Sequence, residues 1–306
     1  MSKVSRRFVA SSLAALVLVA FQPVGAQATS LEEFSKMQCG VDVGLDRSRF
    51  SRVVDDLEVN GTLTIEGPEW NDTLITNCKV TGAAGDGIEI RDVRNLAIEN
   101  CEISGVGGTG IRLRSSGSTQ DVWLVGNRIT NVGDNGISAA KRLNDDVDHT
   151  RLVIADNIVN DSGARGKRGL THGIYTQASD VTIFGNTVSG ERDGNGISIR
   201  SSGLVACNSI SGISDDNKPG IRYFADNYAG PSRTLIIRDN EVRDSNPAIE
   251  LRRPDGWTRR RPEALVTRFV IEGNRTTSGE PVSISSFWAD DERFSLTIEN
   301  NLRVGG

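Results

Sequence analysis

Two short motifs alternate along this chain, and together they leave few ways to fold it. One is a small or turn residue, then Gly, Ile and alternating exposed and buried positions. It reads Gly87-Ile88-Glu89-Ile90, Gly110-Ile111-Arg112-Leu113, Gly136-Ile137-Ser138-Ala139, Gly173-Ile174-Tyr175-Thr176, Gly196-Ile197-Ser198-Ile199 and Gly220-Ile221-Arg222-Tyr223, with a weaker Ala248-Ile249-Glu250-Leu251. The other ends in Asn or Cys after an apolar, any, apolar pattern: Thr73–Cys78, Leu96–Cys101, Val122–Asn127, Leu152–Asn157, Val181–Asn186, Leu204–Asn208, Leu235–Asn240, Phe269–Asn274 and Leu296–Asn301. Alternation with period 2 marks short β-strands, and the repeat is too short for strand–helix units. A repeat of two or three short strands is one turn of a solenoid, whose inward Ile, Leu and Val stack into a continuous core.

The expected fold is therefore all-β, a single-domain parallel β-helix of about nine turns over residues 52–306, with turns spaced about 4.8 Å apart. The Asn of each corner is placed to bond its equivalents above and below. Cys78 and Cys101 take the first two rungs of that ladder, near enough to bridge or to lie as stacked thiols. Residues 29–51 read as an N-terminal cap, with Leu31–Met37 a short capping helix over the first turn, since an open solenoid end is a sticky edge. The chain stops close to the last ladder Asn, so an uncapped C-terminal end is open to oligomerisation.

With its Asn ladder and Gly-Ile repeats, the chain resembles the right-handed parallel β-helix family that includes pectate lyases, alginate lyases, mannuronan C5-epimerases and polygalacturonases. The resemblance covers roughly residues 52–303 and implies a right-handed coil. It also implies that the Gly-Ile sheet forms a substrate groove. It leaves the reaction open, because the family hosts lyases, epimerases, hydrolases and adhesins.

Residues 1–28 read as a signal peptide: Lys3, Arg6 and Arg7 precede the apolar run from Phe8 to Phe21, and Val24-Gly25-Ala26 and Ala26-Gln27-Ala28 offer cleavage sites. The expected location is exported, periplasmic or secreted, with no membrane span after cleavage. Loss of those three cations from 35 Lys and Arg leaves 32 against 40 Asp and Glu, a net charge of −8. Such a surface does not favour nucleic acid as a partner. The four cysteines show no zinc spacing, and export permits disulfides without naming the pairs.

Loop insertions show where a solenoid places function. They fall at 158–171 and 209–219 on one side of the Gly-Ile strands and at 140–150, 224–233 and 252–267 on the other, walling the sheet into a groove. Alternation sends Glu89, Arg112, Ser138, Tyr175, Ser198, Arg222 and Glu250 outward, then Arg91, Arg114, Ala140, Gln177, Arg200, Phe224 and Arg252. Arg112, Arg114, Lys141, Arg142, Arg222 and Arg252 form a cationic surface in an acidic protein, which suits an acidic polysaccharide as partner. Asn135, Asn195, Gln177 and Trp257 complete the expected substrate-binding set. The same arginines can also simply pair with nearby acids.

One copy of the motif differs chemically: Thr171-His172-Gly173-Ile174-Tyr175. Removing the proton beside a uronate carboxylate needs a base, an acid and a cation for the enolate-like intermediate. His172 as base, Tyr175 as acid or as both, and Arg200 or Arg112 on the carboxylate meet that need. His149, in a polar loop, is expected to be solvated. No cofactor is called for, although Asp145, Asp146 and Asp148 could hold Ca2+. Asp193 and that cluster could serve a hydrolase, but the cluster sits on a loop and Arg-Ile-Lys, a polygalacturonase motif, is absent. The reading is an exported lyase cleaving a uronate polysaccharide by β-elimination. The alternatives are a non-catalytic glycan-binding or assembly protein, a C5-epimerase or an inverting hydrolase.

Overall fold

The computed structural model describes residues 31–141, 147–166, 169–213, 218–226, 232–254, 264–277, 279–285 and 292–304. The short strands sort into three parallel sheets of ten, ten and nine strands, each strand bonded to its equivalents one repeat before and one after. The first sheet runs from Arg52–Asp55 to Ser295–Glu299, the second from Glu58–Asn60 to Leu302–Arg303. The third, from Leu63–Glu66 to Val282–Ile284, holds the Gly-Ile strands.

Register makes the core. In the first sheet Ile75, Ile98, Leu124, Ile154, Ile183, Val205, Ile237 and Ile271 stack in one inward column, all fully buried. The Ile that follows each motif Gly forms the matching column of the third sheet. Each such side chain contributes about 1.5–3 kcal/mol over an exposed one. In the second sheet the column runs from Val59 through Val242 and ends on Thr276 and Arg303, polar residues on the last two rungs.

The Asn ladder closes every hydrogen bond it opens. Asn157 donates from Nδ2 to Asn186 Oδ1 (2.9 Å) and to the Leu124 carbonyl (2.8 Å), while its own Oδ1 accepts the backbone N–H of Asn127. The pattern repeats through Asn186, Asn208, Asn240 and Asn274. Cys101 N donates to Asn127 Oδ1 (3.0 Å), and Cys78–Cys101 form a disulfide at the head of the ladder. The residue before each rung is left-handed, with φ between 53° and 69°, which explains Asn, Asp or Gly there. Cys207 is the one exception, and it is held in a disulfide with Cys39.

The N-terminal helix, Leu31–Lys36, does not lie over the first turn as expected. It packs on the outer face of the first sheet, with Phe34 against Trp123 (6.2 Å between centroids) and Phe184 (5.8 Å). Met37, Val43 and Phe50 continue this contact along Leu74, Ala97, Trp123, Val153 and Leu204. The cause is the outer face itself, where an apolar column would otherwise meet water. Arg238 donates to the Phe34 and Met37 carbonyls at the helix end (3.1 and 2.8 Å), and the Cys39–Cys207 disulfide joins residues 168 apart in sequence. No helix among the described residues is long and apolar enough to cross a membrane.

Candidate functional site

The register of the third sheet sets Glu89, Arg112, Ser138, Tyr175, Ser198, Arg222 and Glu250 in one row, one per rung. The corner before each strand has no room for a side chain: a Cβ on Gly173 would stand 2.3 Å from Val188 Cγ1 and 2.7 Å from the Gly196 carbonyl. This also fixes His172 at the rim of its strand. Its backbone N–H donates to Asn135 Oδ1 (2.8 Å), and its ring lies stacked on Tyr175, with centroids 5.5 Å apart and planes at 12°.

His172 is 3% exposed, and its Nδ1 accepts the backbone N–H of Asn195 at 3.0 Å. With Nδ1 so engaged, the proton of the neutral ring sits on Nε2. Burial, then the charges of Arg200, Arg222 and Lys218, hold its pKa well below 6.5, against a smaller opposing pull from Asp193. His172 is therefore a neutral hydrogen-bond donor at neutral pH.

Arg200 is sandwiched between aromatic faces, its guanidinium carbon 5.2 Å from the Tyr175 ring centre and 4.4 Å from that of Phe224. Its side chain is 11% exposed, its Nε lies 3.7 Å from Asp226, and Nε and Nη1 are buried without a hydrogen-bond partner. The Asn195 amide and Ser198 Oγ are also buried and unpartnered. Gln177 donates to Asp226 (3.2 Å) and accepts the Lys141 backbone N–H (2.6 Å). His172, Tyr175, Asn195, Arg200, Arg222 and Asp226 line a cavity of about 400 Å³ together with Leu170, Gln177 and Phe224. A second cavity of about 350 Å³, lined by Arg112, Arg114, Asp134, Asn135 and Ser138, meets the first at Ala140, Leu170 and Tyr175.

Most of the other groove cations have protein partners. Arg112 is held by Asp86 (2.8 Å) and Asp134 (3.4 Å), and Arg114 by Glu89 (3.1 Å) and Asp86 (3.5 Å). Arg222 pairs with Glu250, Arg252 lies 3.8 Å from the same carboxylate, and Lys141 pairs with Asp148 (3.0 Å). Arg142, Trp257, Asp145 and Asp146 lie outside the described residues.

Of the acids weighed for other chemistry, the two described ones, Asp193 and Asp148, are engaged by neighbouring groups. Asp193 accepts the backbone N–H groups of Gly169, Leu170 and Thr171, fixing the groove wall. Beneath it Glu191, fully buried and with its pKa raised by that burial, accepts from Ser162 Oγ and from the N–H groups of Asp193 and Gly194. Asp148 is engaged by Lys141 and Ser179, which a calcium ion would have to displace. The described residues bring one group of metal-ligand types together, Cys39, Cys207 and Asp239, but both its sulfurs belong to a disulfide. His149, expected to be solvated, is fully buried: Nδ1 meets Thr119 Oγ1 (2.9 Å), Nε2 meets the Ala140 carbonyl (3.1 Å), and burial lowers its pKa to about 4.

Two partners were not singled out from the sequence. Ser198 shows in the alternation as one more outward serine, and only its burial beside Arg200 marks it. Asp226 follows the strand Ile221–Phe224 with no motif to flag it.

Residues 62–302 match the family model described as the right handed beta helix region. The chain belongs to the right-handed β-helix family. No curated protein sequence matches it. Among solved structures it is similar to an alginate lyase from Paenibacillus sp. str. FPU-7, with a TM-score of 0.52, 13% identity, and coverage of 86% of this chain and 97% of that one. The mannuronan C-5 epimerase AlgE4 A-module of Azotobacter vinelandii gives a TM-score of 0.50 at 15% identity, with 83% and 76% covered. The AlgE6 A-module of the same organism gives 0.47 at 11% identity, and this chain spans 57% of its length. At these identities the likeness is one of fold.

Proposed function

We propose that this β-helix is an exported lyase that cleaves a uronate-containing polysaccharide by β-elimination in the third-sheet groove. The observation that carries the reading is Arg200. A buried guanidinium with unpartnered N–H groups, beside a stacked His–Tyr pair in an open groove, is a costly arrangement unless an anionic ligand completes it.

The groups divide as follows. The substrate carboxylate lies on Arg200, which accepts the charge that grows on it as the C5 proton leaves. Tyr175, as the phenolate, takes that proton, with the Arg200 guanidinium 5.2 Å from its ring centre. The electron pair of the C5–H bond becomes the C4–C5 double bond, and the C4–O bond breaks. Tyr175 passes the proton it took from C5 to the departing oxygen, which returns it to its starting state. His172 donates from Nε2 toward the reacting sugar and does not act as the base.

The test is absorbance near 235 nm, where unsaturated uronate ends absorb, during incubation with a panel of polyuronates. Wild type should give a rising signal that Tyr175→Phe and His172→Ala lose. A flat trace on every polymer, with binding still measurable, would leave a glycan-holding protein instead.

A further inference from the structure

Tyr175 stands where two groove compartments meet, and they are chemically unequal. On one side the next rung presents Ser198 and Arg200, and the one after it Arg222 and Phe224. On the other side the next rung presents Ser138, 3% exposed, and then Ala140, with no charge and no long side chain.

Beyond Ser138 come Arg112 and Arg114, but they do not supply a positive subsite. Asp86 contacts both, Asp134 adds a second carboxylate to Arg112, and Glu89 a second to Arg114. Three carboxylates face two guanidiniums. Burial, and then a hydrogen bond with Asp86, raise the Glu89 pKa against the pull of Arg114. A sugar carboxylate seated there would meet like charge, whereas hydroxyls would find Ser115, Asn135 and Ser138. On the Arg200 side two carboxylates, Asp226 and Glu250, are matched one to one by Arg200 and Arg222, and Arg200 Nε and Nη1, Ser198 Oγ and the Asn195 side-chain amide are buried without hydrogen-bond partners.

Building on the lyase reading, we infer that the substrate is a heteropolysaccharide in which an uncharged sugar is linked to O4 of a uronate. The uronate sits on Arg200 and the uncharged sugar over Ser138 and Ala140, with the scissile bond at Tyr175. Elimination breaks the C4–O4 bond of the uronate. O4 leaves with a proton as the reducing-end hydroxyl of the uncharged sugar, and the C4–C5 double bond stays on the uronate.

The experiment compares three polymers: a homopolyuronate, the same polymer with about half its carboxylates chemically reduced to alcohols, and a natural polymer alternating uronate with neutral sugar. Rates are read at 235 nm and new reducing ends identified by mass spectrometry. The mixed polymers should be cleaved at least tenfold faster, with a neutral sugar at each new reducing end. Glu89→Gln, which relieves the crowding around Arg114, should narrow that gap several-fold. Homopolyuronate cleaved as fast or faster, with uronate at the new reducing ends, overturns this inference and leaves the lyase reading standing. No absorbance with any of the three polymers overturns the lyase reading itself.

Discussion

Two sets of buried polar side chains, on opposite sides of the same coil, show how this fold separates structure from function. In the ladder, Asn157, Asn186, Asn208 and Asn240 are 1% exposed, and each amide has partners for both its oxygen and its nitrogen. In the groove, Asn195 is equally buried and its amide has none. The histidines repeat the contrast. His149 has a partner on each nitrogen, whereas His172 uses Nδ1 to receive a backbone N–H and keeps its proton on Nε2. Satisfied groups stabilise the coil, and unsatisfied ones wait for a ligand.

That difference can be broken from either side. The largest effect is expected at Tyr175: replacing it with Phe should lower the 235 nm rate by about 10²–10⁴-fold while leaving the unfolding midpoint within a degree or two. Next comes the ladder. Asn157→Ala strands a buried backbone N–H and two ladder partners, so chemical denaturation should show a loss of about 2–5 kcal/mol with the catalytic groups untouched.

Protonation separates the satisfied histidine in a third way. The pKa of His149 is about 4 in the folded chain against 6.5 unfolded, so its contribution is full above pH 6.5 and declines as pH falls toward 4. Asp156, raised to about 6 by burial, works in the opposite sense, so the comparison must isolate the imidazole. Urea unfolding of wild type and His149→Gln at pH 7.5 and pH 5 should find their stability difference about 2 kcal/mol smaller at the lower pH. The smallest effect belongs to Asn195→Ala, where no hydrogen bond of the amide is lost: stability should change by less than about 1 kcal/mol, with substrate affinity falling instead.

The coil was readable because packing writes it many times over. The Gly-Ile and Asn repeats recur on most turns, so strand order and register followed from spacing. The groove floor followed from alternation, and Tyr175, Arg200 and Gln177 sit together as that alternation implies. What was hidden has physical causes. The N-terminal segment was placed over the first turn because solenoid ends need covering. The better signal was the loss of alternation in the first sheet, where Leu74, Ala97, Trp123, Val153 and Leu204 are apolar on the outward face and so need a cover of their own. His149 looked solvated because its loop is polar, and a parallel pairing with Thr119 buries it. The pairing of Arg112 with Asp86 and Asp134 depends on distances between turns that no motif records.

The central claim is that Arg200 is kept for a ligand rather than for the fold, and Arg200→Met tests it most directly. Thermal unfolding and 235 nm product formation should be measured on the same preparation. The expected result is loss of the lyase signal with a midpoint within a few degrees of wild type, because relief of the unpartnered Nε and Nη1 offsets the loss of the 3.7 Å contact with Asp226. A midpoint several degrees lower with product formation retained would make Arg200 a structural residue and contradict the account.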